Sequence, residues 1–368
     1  MNVVNSTRLA AACAPGRMKD GRMCLVAVAK ATYDFPTEPG KPLKLSKEQI
    51  GLLENDEYLG DPEIAPLHLE SDFAPFKPKC DVIIIGHACA PDEQATPRVR
   101  VGARVGDWSK QFDVVGDRYW SKSLGQWKLT EPEPFVTKDL SWNVAFGGIT
   151  QEKEDQADYY MLNPAGCGFG IDKVTDSDFA KAPNTEQIDD PITSSSKQYM
   201  PQSFGPVCRH WEPRRNFAGT YDDHWHEHYA PYLPPDFDEA FYQSAPADQQ
   251  VPYLQGGESV TLQNLSKQSV LTFSIPRHSK VVMSAVKRGG KRVPLDVNID
   301  TLTIDTKNQT ITVASRARLP LEIDIKEVDV LLVGVPSPGW ERARLTGKTY
   351  IPMSQLRKVR ADVDGFGD

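Results

Sequence analysis

The chain has 368 residues, and its 42 basic and 50 acidic side chains give a formal charge of −8. Apolar residues make up 39% and charged residues 25%, a composition typical of a globular protein with a buried core. The acidic balance argues against nucleic-acid binding, because phosphate contacts depend on Lys and Arg.

The sequence predicts a protein of the cytoplasm that does not insert into a membrane. The longest apolar run, Val82-Ile83-Ile84-Ile85, is strand-sized and far from the roughly 20 residues that cross a bilayer. The N-terminus lacks the basic start and long apolar stretch of a secretory signal. The cysteines are scattered without a C-x-x-C pair, which favours reduced thiols over a disulfide framework. They are Cys13, Cys24, Cys80, Cys89, Cys167 and Cys208.

Residues 1–20 are an N-terminal segment, and residues 21–150 form a β-rich region. Strands are predicted over residues 23–35 and within 77–90. From Arg98 the pattern alternates, with Val99 and Val101 on the face opposite Arg98 and Arg100, which is typical of a half-buried strand. Gly106-Asp107 predicts a reversal into a return strand that includes residues 112–115.

Residues 151–250 differ in character, since they are rich in Pro, Asn, Asp, Gly and aromatic residues and show little periodicity. Their aromatic content would want burial, so we predict an ordered, loop-rich region packed on the preceding one. One short helix is predicted over residues 236–243, with Asp236 as its N-cap and Phe237, Ala240 and Phe241 on one face.

Residues 251–350 return to short strands, predicted at 259–265, 270–275, 280–286, 301–305, 310–314 and 328–333, with a hairpin turn at 305–310. Residues 351–368 are predicted to be a flexible tail. The fold class that follows is mainly β. It consists of short-stranded, antiparallel, sandwich-like sheets with a long ordered loop-rich centre and few short helices.

The feature most suggestive of chemistry is His224-Trp225-His226-Glu227-His228. These histidines would share one face of a strand, whereas on a helix His224 and His228 would lie one turn apart, so zinc ligation is an alternative. It would make the protein a metal-dependent hydrolase. The sequence lacks the H-E-x-x-H order, however, and the neighbouring rings and prolines favour a packed surface loop.

Other catalytic arrangements have less support. There is no G-x-S-x-G elbow, and Cys167 lies between glycines in a segment typical of a turn. The glycine-rich stretches match neither a P-loop nor a dinucleotide fingerprint. We therefore predict no catalytic residue and no cofactor.

A succession of short motifs is more informative than any single residue. In the centre and C-terminal half it comprises Gly116-Asp117-Arg118-Tyr119-Trp120, Glu133-Pro134-Phe135, Ala145-Phe146-Gly147-Gly148, Asn163-Pro164-Ala165-Gly166-x-Gly168, Pro183-Asn184-x-Glu186, Gly205-Pro206, Gly219-Thr220-Tyr221-Asp222-x-x-Trp225, Pro235-Asp236-Phe237-Asp238, Ala245-Pro246-x-Asp248-Gln249 and Gly256-Gly257-Glu258. Upstream are Lys30-Ala31-Thr32-Tyr33, Ser71-Asp72 and Lys77-Pro78-x-x-Asp81.

This succession resembles the family called domain of unknown function two-one-six-nine, over about residues 20–310. The resemblance implies an adaptor or chaperone encoded beside type VI secretion effectors. Such a protein would bind an effector and help to load it onto the spike protein (VgrG) or its proline-alanine-alanine-arginine (PAAR) tip. The resemblance implies no catalytic centre.

The residues themselves agree with a binding role, because rigid loops that carry aromatic side chains suit protein recognition. The candidate partner-binding residues are Trp211, Tyr221, Asp222, Trp225, Tyr229 and Tyr232. The alternative is that these rings hold the loops together, since aromatic residues also dominate core burial. A carbohydrate- or envelope-binding β module is a third reading, because β sandwiches host many functions.

Overall fold

A computed structural model describes residues 1–36, 38, 40–151, 157–173, 177–277 and 281–350, and it confirms a mainly β protein. In chain order its strands are β1 (Asn2–Asn5), β2 (Ala10–Arg17), β3 (Met23–Asp34), β4 (Lys44–Leu45), β5 (Glu57–Tyr58), β6 (Leu67–Leu69), β7 (Cys80–Ile85), β8 (His87–Cys89), β9 (Arg98–Val105), β10 (Trp108–Val115), β11 (Tyr119–Ser123), β12 (Gln126–Leu129), β13 (Thr137–Asp139), β14 (Phe146–Gly147), β15 (Ile149–Gln151), β16 (Ala157–Tyr159), β17 (Cys167–Gly168), β18 (Phe179–Lys181), β19 (Thr185–Glu186), β20 (Gln250–Val251), β21 (Ser259–Gln263), β22 (Val270–Ser274), β23 (Met283–Lys287), β24 (Arg292–Pro294), β25 (Val297–Asp305), β26 (Thr310–Pro320) and β27 (Val328–Val333).

Helical structure is short. The described residues contain two α-helices, α1 (Asp223–His228) and α2 (Pro338–Leu345). The 3₁₀ turns are Pro91–Glu93, Trp142–Val144, Ile171–Lys173, Arg214–Phe217, Glu239–Tyr242, Ala247–Gln249 and Ile325–Glu327. None of the helices in this part of the chain has the length and apolarity that crossing a membrane requires.

The central sheet has the order β2-β3-β26-β25-β7-β20, with β4 paired to the end of β3. All its pairs are antiparallel except β25 with β7, which is parallel. Strand β3 is buried along nearly its whole length on both faces, which explains its continuous apolar sequence. Its small alanines, such as Ala27 and Ala29, lie on the face that other sheets cover.

Two further sheets cover that face. The second sheet, β19-β10-β9-β21-β22, packs on one end of the central sheet, and the third sheet, β1-β27-β23-β24, packs on the other. The main core joins Val82 and Ile304 of the central sheet to Val101, Phe112 and Leu262 of the second sheet. The sandwich-like architecture predicted from the spacing of strands is therefore present.

Strands distant in sequence lie next to each other in these sheets. The 21–150 and 251–350 regions share sheets through the pairs β3–β26, β7–β25 and β9–β21. The N-terminal segment supplies β1, which pairs in parallel with β27, and most of β2, which pairs with β3. Local patterns locate most of these strands, whereas the pairings join regions that the sequence treats separately.

The 151–250 region contains short strand pairs and turns rather than large sheets, and it buries several rings. The predicted helix over 236–243 is wrong in type and in cap. Residues Glu239–Tyr242 form a 3₁₀ turn whose N-cap is Asp238, since its side chain accepts from Ala240 N at 2.8 Å. Asp236 instead binds Thr220, so its side chain is unavailable as a cap.

Several local predictions have clear outcomes. The hairpin turn at 305–310 is confirmed, because Asp305 accepts hydrogen bonds from the Lys307 and Asn308 N–H groups at 3.0 and 2.8 Å. The predicted strand at 280–286 is β23, although Lys280 lies outside the described residues. The predicted tail, 351–368, also lies outside them. Helix α2 had no counterpart in the sequence analysis.

Candidate functional site

Residues 219–233, which we call the aromatic arm, belong to the 151–250 region. Hydrogen bonds between Thr220 and Asp236 join the two ends of this segment. Thr220 donates from its backbone N–H and its hydroxyl to the Asp236 carboxylate, at 3.0 and 2.8 Å. Gly219 has a φ of +81°, and a Cβ there would lie 2.9 Å from Asp236 Oδ1. Glycine is required at this position because a side chain would be both strained and in contact with the carboxylate.

Within the arm, helix α1 is held by a side-chain cap and by aromatic contacts. Asp222 is the N-cap and accepts from Trp225 N at 2.8 Å, which satisfies one of the free N–H groups of the first turn. The Trp225 indole N–H donates to Tyr232 O at 2.9 Å. The Trp225 and Tyr221 rings pack edge to face, with their centroids 4.7 Å apart. The prediction of a packed surface loop is corrected, since Asp223–His228 is an α-helix.

The rings of the arm remain largely open to solvent although its backbone is tied. Tyr221 is 54% exposed, Tyr229 38% and Tyr232 48%, while Trp225 is half-buried. Tyr232 also stacks under the Arg17 guanidinium, 5.3 Å from the ring centroid. The arm therefore presents several amphipathic rings whose positions are set before any partner arrives.

Two of the residues predicted to bind a partner, Trp211 and Asp222, have structural roles instead. Trp211 is 1% exposed and meets Trp142 edge-on at 6.2 Å, in a cluster with Leu67 and Val207. Its burial leaves no ring surface for a partner. One carboxylate oxygen of Asp222 accepts the capping hydrogen bond from Trp225 N, so this residue stabilises helix α1 within the arm.

The histidines of α1 are not arranged as three ligands of one ion. The ring centroids of His224 and His228 lie 4.4 Å apart, and His228 Nδ1 lies 3.0 Å from His224 O. His226, two residues along the helix from His224, is rotated from it by roughly 200°. In the part of the chain that the structure describes, no group of three or more His, Cys, Asp or Glu side chains is placed to hold a metal.

Cys167 lies beside a small glycine-lined cavity of about 250 Å³. Burial raises the pKa of its thiol to about 11, and the nearby Lys181 and Arg118 only partly oppose this. A thiol with a raised pKa is a poor nucleophile at neutral pH. The structure therefore gives this cysteine no activating environment.

A larger cavity, of about 500 Å³, lies on the face of the central sheet that the other two sheets leave uncovered. We call it the sheet-face cavity. Its floor includes Thr303 of β25 together with Thr310 and Thr312 of β26, and its roof consists of residues 50–53 and 68–72. Such a volume lies within the range of ligand pockets, about 300–1,000 Å³.

Buried ion pairs join the roof of this cavity to the 151–250 region. Glu70 binds Arg214 at 2.6 Å and Arg209 at 3.1 Å, and it lies 3.5 Å from Lys77. Burial alone would raise the pKa of Glu70, but Arg214, Lys77 and Arg209 outweigh burial and lower it to about 2. Lys77 in turn binds Asp81 at 2.7 Å. These ion pairs therefore connect the cavity roof both to the 151–250 region and to β7 of the central sheet.

Comparison with known proteins gives one match. The family described as "Uncharacterized protein conserved in bacteria (DUF2169)" matches residues 20–316, which is more than three quarters of the chain. The chain belongs to the DUF2169 family. No curated protein and no solved structure matches it.

The DUF2169 match extends from just before β3 into β26, so it includes the aromatic arm and both walls of the sheet-face cavity. It leaves out β2, an edge strand of the central sheet, together with the neighbouring strands β1 and β27 of the third sheet and helix α2. Family membership therefore covers both candidate binding features and says nothing further about what either one binds.

Sequence reasoning found the arm but missed the sheet-face cavity. The cavity floor had a visible signal, since Thr301, Thr303 and Asp305 alternate with buried residues, as do Thr310 and Thr312. Such alternation predicts a polar strand face. It does not show that residues 50–53 and 68–72, far away in sequence, form a roof over that face.

Proposed function

We propose that this protein is a non-catalytic adaptor that binds a type VI secretion effector in the cytoplasm and helps to load it onto the spike protein or its tip. Support comes from the motif succession together with one structural observation. That observation is the exposure of Tyr221, Tyr229 and Tyr232 on a backbone tied by Asp222 and Asp236.

The exposed rings of the arm are suited to act as anchors of an interface. Aromatic side chains lose little conformational entropy on binding, and a few of them commonly carry most of the affinity of an interface. The fixed backbone of the arm reduces the entropy cost further, since the rings need little reordering. An adaptor that must later release its cargo is expected to bind it with micromolar to nanomolar affinity, or about −8 to −12 kcal/mol.

The test is co-expression of the chain with the effector and spike proteins encoded beside it, followed by affinity purification. The wild-type chain should retain one of these proteins. The double variant Tyr221→Ala/Tyr229→Ala should bind it at least roughly tenfold more weakly, because two anchor rings are removed. Its melting temperature should stay nearly constant, because both rings are partly exposed and their aromatic contacts lie within the arm itself.

The matched control is Tyr159→Ala, which removes a ring that is 48% exposed but lies outside the arm. This variant should retain the partner as the wild type does. Failure of the wild-type chain to retain any effector, spike or tip protein would remove the adaptor role. Equal losses in the double variant and in the Tyr159 control would remove the arm as its binding surface.

A further inference from the structure

Three threonines lie side by side across the uncovered face of the central sheet. The strand registers pair Thr32 of β3 with Thr312 of β26, and Thr312 with Thr303 of β25. Since residues paired in register point to the same face, their hydroxyls form a row across three neighbouring strands. Thr310 extends the row by one step along β26.

One end of this row is already occupied by the chain itself. The backbone N–H of Ile50 donates to Thr32 Oγ1 at 3.0 Å. The preceding residue, Gln49, binds the Thr32 backbone at the sheet edge. Its side-chain oxygen accepts from the Thr32 N–H at 2.8 Å, and its side-chain N–H donates to the Thr32 carbonyl at 3.0 Å. An uncharged backbone segment therefore crosses the face and uses a threonine hydroxyl as its acceptor.

The rest of the row opens into the sheet-face cavity. Thr303, Thr310 and Thr312 line its floor and are half-buried, and within the described residues their hydroxyls make no hydrogen bond. The roof above them is fixed, because Asp72 binds both the Lys30 ammonium at 2.5 Å and the Leu53 N–H at 2.7 Å. The open hydroxyls are therefore presented by a preformed cavity.

The cationic groups of the cavity wall are neutralised within the protein. Lys30 is bound by Asp72, Lys77 by Asp81 at 2.7 Å, and Arg316 by Asp300 at 2.5 Å. An anionic ligand would have to break these buried pairs, each of which is costly to disrupt. Of the other carboxylates that line the cavity, Glu70 is paired with Arg214, Asp305 accepts hydrogen bonds from the Lys307 and Asn308 N–H groups, and Glu57 is exposed to solvent. The cavity thus selects an uncharged occupant.

We propose that the sheet-face cavity binds an extended, uncharged peptide segment of the secreted partner, alongside the chain's own residues 49–53. Hydroxyls both donate and accept, so they pair with the N–H and C=O groups that alternate along an extended backbone. Thr310 and Thr312, two residues apart on one strand, are separated by about 6.6–6.8 Å, which is the repeat of an extended peptide. The ledge formed by Leu52 and Leu53 gives apolar contact to its side chains.

This inference rests on the proposed adaptor function, and it adds a second contact region to the aromatic arm. The arm would supply exposed anchor rings, and the cavity would take a stretch of the same partner that lacks Lys, Arg, Asp and Glu. A partner held at two places gains affinity from the second contact because that contact forms within the complex.

The test uses the full chain and the partner protein that co-purifies with it. Thr312→Trp fills the cavity and should weaken partner binding by roughly tenfold or more. Thr312→Val removes one hydroxyl with little change of volume, and should weaken binding by roughly threefold to tenfold, the worth of a single hydrogen bond. Thr261→Trp is the matched control, since Thr261 is a half-buried strand threonine outside the cavity. It should bind as the wild type does.

An array of overlapping peptides that spans the partner identifies the occupant. Peptides that bind the wild-type chain but not Thr312→Trp should have an uncharged core. Unchanged binding by Thr312→Trp, with the partner still retained by the wild type, would overturn the cavity proposal and leave the adaptor role standing. Charged cores in the cavity-dependent peptides, or a second copy of the chain in place of the partner, would overturn it as well.

Discussion

Several residues that carry the family motifs are buried polar groups that hold loops together. Asn163 and Asn184 are fully buried, and each side-chain amide donates to two backbone carbonyls, at distances of 2.9–3.0 Å. Gln249 does the same for Val82 O and Phe204 O, at 2.7 and 3.0 Å. Rigid loops were predicted from the glycine, Asn-Pro and Asp positions of the motifs and from their aromatic residues. The sequence could not identify the carbonyls that Asn163, Asn184 and Gln249 bind, because those lie up to 167 residues away.

Glu70 is a buried carboxylate held by Arg214, Arg209 and Lys77, and Glu70→Gln tests what its charge contributes. Its pKa is lowered to about 2 from an ordinary 4.5, so its charge stabilises the fold above about pH 4.5. That contribution, on the order of 3 kcal/mol, is lost as pH falls from 4.5 towards 2. The variant should therefore be less stable than the wild type at pH 7, and the two should converge in acid. Urea denaturation midpoints measured at several pH values follow both trends.

Glu38→Gln is the control for this prediction, because Glu38 is 62% exposed and binds Lys41 at the surface. Exposed pairs contribute little, so its stability should follow the wild type within about 0.5 kcal/mol at every pH. A constant difference between wild type and Glu70→Gln from pH 7 to pH 2.5 would show that the variant acts through packing rather than through charge.

At the scale of elements, long strands were easier to predict than short helices. Strand β9 was found because apolar and polar residues alternate over its eight positions, and β10 was found as the return strand that follows the Gly106-Asp107 reversal. Helix α1 has six residues, too few for a helical period to stand out, and isolated helices of this length are not stable in water. Its start did have a signal, since Asp222 is a favoured N-cap residue.

Because α1 depends on that cap, Asp222→Ala should loosen the arm without unfolding the protein. Loss of an N-cap costs about 1 kcal/mol, a large fraction of the stability of a single turn but a small one for the whole chain. Hydrogen exchange over residues 223–229 should speed up while the melting temperature stays nearly constant. Partner binding should weaken, since Tyr221 and Tyr229 lose their fixed positions.

The neighbouring Asp223→Ala is the matched comparison, because Asp223 lies in the first turn but is not the cap. Its exchange rates should stay close to those of the wild type. Equal protection of α1 in both variants would mean that the aromatic contacts of Trp225, rather than the cap, hold the helix.

At the scale of the whole molecule, the fold depends on pairings between distant strands. Strand β26 pairs along eleven positions with β3, and the paired residues are more than 270 positions apart in sequence. Strand β7 lies in parallel beside β25, again across most of the chain. Alternation predicts where a strand is but not which strand it joins, so the order of strands in the central sheet could not be predicted from it.

The N-terminal strands provide the sharpest test of this architecture. Strand β2 covers the edge of β3 through eight paired positions, from Arg17 with Met23 to Ala10 with Lys30. Strand β4 protects only Tyr33 and Asp34 on that edge, so deletion of residues 1–17 would expose a long apolar strand edge. We expect this variant to aggregate.

Deletion of residues 1–5 removes only β1 and its four parallel pairs with β27, and should yield a soluble monomer with a lower melting temperature. Size-exclusion chromatography and thermal melts separate the two outcomes. A monomeric 1–17 deletion that melts like the wild type would contradict a structural role for β2, since the β3 edge would then be stable without a partner strand.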